Sequence, residues 1–125
     1  MMELTINETV YAFHFGMGFL REINKKVGAP VEGLPDVKKN IGLQYMVAGV
    51  LDGDVEALVE ILDTANKGQT PRLTRAQLDA YIDSGDTDID ALFDEVLSFL
   101  KNANATRKTV ATLLEAVEKQ KAQQK

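Results

Sequence analysis

The chain has 125 residues, 45% of them apolar and 26% charged, with a formal net charge of −5. That length suits one domain with a real hydrophobic core, and the composition excludes global disorder. Cysteine is absent, which removes disulfides, thiolate metal sites and cysteine nucleophiles, and the acidic balance argues against a nucleic-acid partner.

The first fifteen residues predict a β-hairpin. With Asn7-Glu8 as a two-residue loop, Ile6 faces Thr9, Leu4 faces Tyr11 and Met2 faces Phe13. One face then gathers Met2, Leu4, Ile6, Tyr11, Phe13 and Phe15. The other gathers Glu3, Thr5, Val10, Ala12 and His14. A lone hairpin is marginal in water, so the aromatic face must pack on helices or on a neighbouring subunit.

Gly16-Met17-Gly18 marks a change of period, after which Leu20, Ile23 and Val27 recur at helical spacing until Gly28. Residues 28–37, with two prolines and two glycines, read as a loop. Residues 41–51 (IGLQYMVAGVL) are apolar on nearly every side and predict the most buried helix. Asp52-Gly53-Asp54 ends it and caps the next, whose stripe is Val55, Leu58, Val59 and Leu62. After a loop at 67–72, Thr74 and Gln77 form a capping-box pattern ahead of Leu78, Tyr81 and Ile82. Ser84-Gly85-Asp86 turns the chain into a helix striped by Ile89, Leu92, Phe93, Val96, Leu97 and Leu100. Asn102-Ala103-Asn104 interrupts, and Val110, Leu113, Leu114 and Val117 mark a final helix. The polar residues 119–125 have no apolar periodicity and are expected to fray. The sum is an α+β chain, mainly helical: an N-terminal β-hairpin followed by about six α-helices, in one domain over residues 1–118.

Charge is polarised along the chain. Between Ala76 and Leu100 stand seven carboxylates (Asp79, Asp83, Asp86, Asp88, Asp90, Asp94 and Glu95) and no Lys or Arg. From Lys101 onward six bases face two acids. The acidic stretch invites a calcium test. Asp86-Thr87-Asp88-Ile89-Asp90 matches the first ligands of an EF-hand loop, but Ala91 stands where a turn glycine is needed and Leu97 where a bidentate Glu is needed. Asp88 and Asp90 instead suit a helix N-terminus. The single His14 lacks a second His or Cys to build a metal site or catalytic set. The GMG tripeptide lacks the remaining features of a phosphate-binding loop. No catalytic constellation and no cofactor are expected, and the chain reads as a partner-binding protein. No apolar run approaches the ~20 residues of a membrane span, and the N-terminus lacks signal-peptide character, so a cytoplasmic protein without a membrane partner is expected.

Four segments carry a resemblance: FHFGMGFLREINKKVG (13–28), NIGLQYMVAGVLDGDVEALVEILDTANKG (40–68), PRLTRAQLDAYID (71–83) and DIDALFDEVLSFLKNAN (88–104). In this order, behind the hairpin, they resemble the tail assembly chaperones of long-tailed bacteriophages and of prophages of Gram-positive bacteria. Gln77 departs slightly, standing where Glu is the expected helix-opening residue. The resemblance implies a non-enzymatic protein of the host cytoplasm, absent from the mature virion. It implies binding of the hydrophobic tape measure protein, recruitment of tail tube protein, and a homo-oligomer. It also implies that a longer, frameshifted form can exist beside a short one. The alternative is a non-enzymatic helical adaptor or regulatory protein of a mobile element, binding one protein partner. For the oligomer or client contact, the residues selected are Tyr11, Phe13, Phe15, Met17 and Phe19. The acids Asp86, Asp88, Asp90, Asp94 and Glu95 are selected as one half of a complementary self-association surface.

Overall fold

The computed structural model of the protein describes residues 1–123. Strands β1 (Met2–Ile6) and β2 (Thr9–Phe13) pair antiparallel, with Met2 opposite Phe13 and Leu4 opposite Tyr11, the register expected from the sequence. Asn7 (φ 51°) and Glu8 (φ 68°) both occupy the left-handed region. That geometry matches the right-handed twist of a tight hairpin. Six helices follow among the described residues: α1 (Met17–Lys25), α2 (Gly42–Leu51), α3 (Val55–Asn66), α4 (Arg75–Asp83), α5 (Ile89–Asn102) and α6 (Arg107–Gln123). Helix makes up about 57% of the chain and strand about 17%.

Helix α3 is the centre of the molecule. It packs against α1, α2, α4 and β2, and Leu58, Ile61 and Leu62 are fully enclosed. This corrects the expectation that 41–51 is the most buried helix. Gln44 and Tyr45 of α2 face solvent, Tyr45 with 58% exposure, whereas α3 buries even its polar Thr64 and Asn66. A nearly continuous apolar run overstated burial in α2; two polar residues disguised it in α3.

Local chemistry sets the helix ends. Gly53 (φ +80°) follows α2, with its N–H donating to the Val50 carbonyl (3.0 Å) and the Asp54 N–H to the Gly49 carbonyl (2.8 Å). These two bonds satisfy carbonyls the helix leaves open. Asp54 then caps α3, its Oδ1 accepting from the Glu56 N–H at 3.0 Å. The predicted capping box at Thr74 and Gln77 is formed in both directions. Asp88 caps α5, accepting from the Ala91 N–H at 3.0 Å. Helix α2 has no side-chain cap of its own, and α1 supplies one: Asn24 Oδ1 accepts from the Leu43 N–H at 2.9 Å.

Two further expectations are corrected. Residues 28–37 are not a loop: β3 (Gly28–Val31) and β4 (Leu34–Asn40) form a second antiparallel hairpin around Glu32-Gly33, with an irregularity after Pro30. Every residue of β4 is exposed, so neither face needed an apolar alternation, and the prolines and glycines hid the strands. The polar residues 119–123, expected to fray, continue α6 as helix; 124 and 125 lie outside the described residues.

Candidate interaction surface

The two groups of selected residues go in opposite directions. Tyr11, Phe13, Phe15 and Phe19 are buried in the monomer's own core. Phe15 packs edge-on against Phe19 (5.1 Å between centroids) and tilted against Phe99 of α5 (6.2 Å). Of this set only Met17, half exposed at 50%, projects from the surface. The hairpin's aromatic face thus meets α3 and α5, the bland outcome for an apolar sheet face.

The acids stay outside. Asp86, Asp88, Asp90 and Asp94 are exposed and Glu95 is half-buried. Half-buried Tyr81 and Ile82 stand on α4, and Ile89, Phe93 and Leu97 on α5. Burial and the Glu95 charge both raise the Tyr81 pKa. Among the described residues, no group of three or more His, Cys, Asp or Glu side chains is placed to hold a metal ion.

Among the described residues the ion pairs join α1, α3 and the segment after it with Arg75 at the start of α4. Glu60 takes Arg75 at 2.6 Å and Lys26 at 3.3 Å; Asp63 takes Arg72 at 2.9 Å; Glu22 lies 4.0 Å from both Lys25 and Lys67. Partial burial works to raise the Glu60 pKa, but hydrogen bonds and charge from Arg75 and Lys26 outweigh it and hold the pKa below its ordinary value. The hydrogen bond to Glu60 raises that of Arg75. Beside them, buried Asn66 donates to the Ala12 carbonyl (2.9 Å) and accepts from the Leu73 N–H (2.7 Å) and Arg72 (2.8 Å). This network fastens the N-terminal hairpin, α3 and the 67–74 segment together. Its bonds are structural.

Among the described residues, none of the acids between Asp79 and Glu95 enters an ion pair, and neither do Lys38, Lys39 or the α6 bases. Sequence reasoning selected the acids and passed over the adjacent lysines of β4, whose doublet was a visible signal. An open apolar pocket of about 430 Å³, floored by Phe13, Phe15 and Phe99 with His14 at its side, was also missed. It joins residues too far apart in sequence to be seen together. His14 is exposed, as its place on the non-aromatic face requires.

The chain is a small helical body that encloses its aromatic set and displays acids and lysines which enter no ion pair among the described residues. The family model described as phage tail assembly chaperone protein, TAC, matches residues 3–115, and the chain belongs to that family. Comparison with curated proteins and with solved structures found no match. No helix among the described residues is long and apolar enough to cross a membrane.

Proposed function

We propose that this phage tail assembly chaperone binds the tape measure protein, keeps it soluble, and brings tail tube protein to it while the tail is built. It acts without catalysis and without a cofactor, in the cytoplasm of the bacterial host, and is left out of the mature virion. The observation that carries this reading is the family match over residues 3–115. The exposed acids and lysines offer charged surfaces on which protein contacts can form.

Self-association is part of the same proposal. The exposed acids Asp86, Asp88, Asp90 and Asp94, with Glu95, form one half of a surface whose basic complement lies on a second copy. Such charge pairing orders and orients contacts. Met17 is the member of the selected group available to a client, since Tyr11, Phe13, Phe15 and Phe19 are buried in the monomer's core.

Pull-down from cells expressing a tagged copy together with the phage's tape measure and tail tube proteins tests the reading. Co-purification of both is expected. A chain that retains neither, while remaining folded, overturns it.

A further inference from the structure

We propose that the β3–β4 arm docks on the acidic α4–α5 face of a second copy of this chain, setting Lys38 and Lys39 among Asp83, Asp86 and Asp94. The proposal rests on the self-association reading and names the surfaces that carry it.

The arm is the first observation. The two strands pack on each other and make no substantial contact with any other element. Its base is held by the Ile41 N–H donating to the Val27 carbonyl at 2.9 Å. Leu34 and Val37, 52% and 46% exposed, have no core of their own to enter. An isolated two-stranded hairpin is marginal in water, so burial of these side chains on a partner is what stabilises it. At ~3.3 Å per residue, the seven residues of β4 reach roughly 20 Å.

The manner of contact follows from the arm's edges. Pro30, Pro35, the adjacent lysines and the irregular register all oppose the addition of another strand. The arm therefore meets its partner through side chains, and a second arm is a poor mate. The α4–α5 face is a good one. Asp83, Asp86 and Asp94 are exposed and enter no ion pair among the described residues, and half-buried Tyr81, Ile82, Phe93 and Leu97 stand on the same two helices. The Thr87 hydroxyl ties the turn between them to α4 by donating to the Tyr81 carbonyl at 2.6 Å. Lysines and exposed aliphatics on the arm answer both features. The α6 bases are less suited: Arg107 and Lys108 stand on a helix already packed against α2 and α5, and Glu115 and Glu118 dilute the rest.

Arm and face are different surfaces, so the contact is heterologous. It propagates from copy to copy as a ring or an open helix and does not close as a two-fold dimer.

Charge reversal on both sides tests this by sedimentation velocity in EDTA at low and high salt. The wild-type chain is expected to form assemblies that shrink at high salt. The arm variant K38E/K39E and the face variant D83K/D86K/D94K, each melting like wild type because the sites are exposed, are each expected to associate at least about tenfold more weakly. An equimolar mixture of the two is expected to regain assembly, since each variant's altered surface complements the other's. Amide exchange across residues 28–40 is expected to slow as concentration rises. An arm variant that assembles as tightly as wild type, or a mixture that stays dissociated, overturns the arm proposal and leaves self-association standing. A wild-type chain that stays monomeric at every concentration overturns both.

Discussion

Asn66 and Ala12, 54 positions apart, are joined by a 2.9 Å hydrogen bond from the buried Asn66 Nδ2 to the Ala12 carbonyl. On its other side Asn66 Oδ1 accepts from the Leu73 N–H and from Arg72. One side chain thus closes three backbone segments around the end of α3. Asn66→Ala leaves the buried Leu73 N–H and the half-buried Ala12 carbonyl unpaired, at about 1–3 kcal/mol for a group not reached by water. Urea denaturation is expected to show a loss of roughly 2–4 kcal/mol. Asn66→Asp is expected to cost less with respect to Leu73 and Arg72, and to lose the bond to Ala12.

Gly42 begins α2 where that helix meets the end of α1. A Cβ there would lie 1.7 Å from the Ile23 carbonyl oxygen, a backbone atom that cannot step aside. Gly42→Ala is therefore expected to force α1 and α2 apart and to cost about 3 kcal/mol or more. Thermal melting reads the result. A melt within a degree or two of wild type would show that the two helices are not in this contact.

The Glu60 cluster gives stability a pH dependence on the acid side. Its folded pKa is lowered by Arg75 and Lys26 against the opposing effect of burial, while the unfolded chain titrates near ~4.3. The stabilisation is therefore fully present above about pH 5 and disappears as pH falls through the folded value. Glu60→Gln is expected to flatten the stability profile below about pH 5. At neutral pH it is expected to cost roughly 1 kcal/mol, because the pairs are partly exposed. Denaturant midpoints across pH 3–7 measure both.

How much of this was legible beforehand depended on whether local chemistry or tertiary context governed each segment. The N-terminal register could be read because two strands agreed on one apolar face, and the Thr74–Gln77 box because its spacing is itself the mechanism. The second hairpin was illegible because it makes no substantial contact with another element and leaves every residue of β4 exposed, so no apolar alternation was imposed on that strand. The interior position of Phe15 and Phe19 was undecidable from the strand alone. Phe15 packs on Phe99, more than eighty positions away, and Phe19 packs on Phe15.

Glu8 holds a positive φ of 68° in the N-terminal turn, a conformation that costs a side-chain-bearing residue roughly 1 kcal/mol. Glycine adopts it freely, and Asn-Gly is the favoured pair for this turn. Glu8→Gly is expected to raise stability by up to about 1 kcal/mol, less what the unfolded chain gains in freedom. A lowered melting temperature would mean that the turn is of another kind.

The most direct test of chaperone function is the soluble yield of the tape measure protein expressed with and without this chain. The tape measure protein, insoluble alone, is expected to become soluble and to elute in one complex with this chain. A tape measure protein that stays insoluble at every expression ratio, beside a folded and abundant copy of this chain, would contradict it.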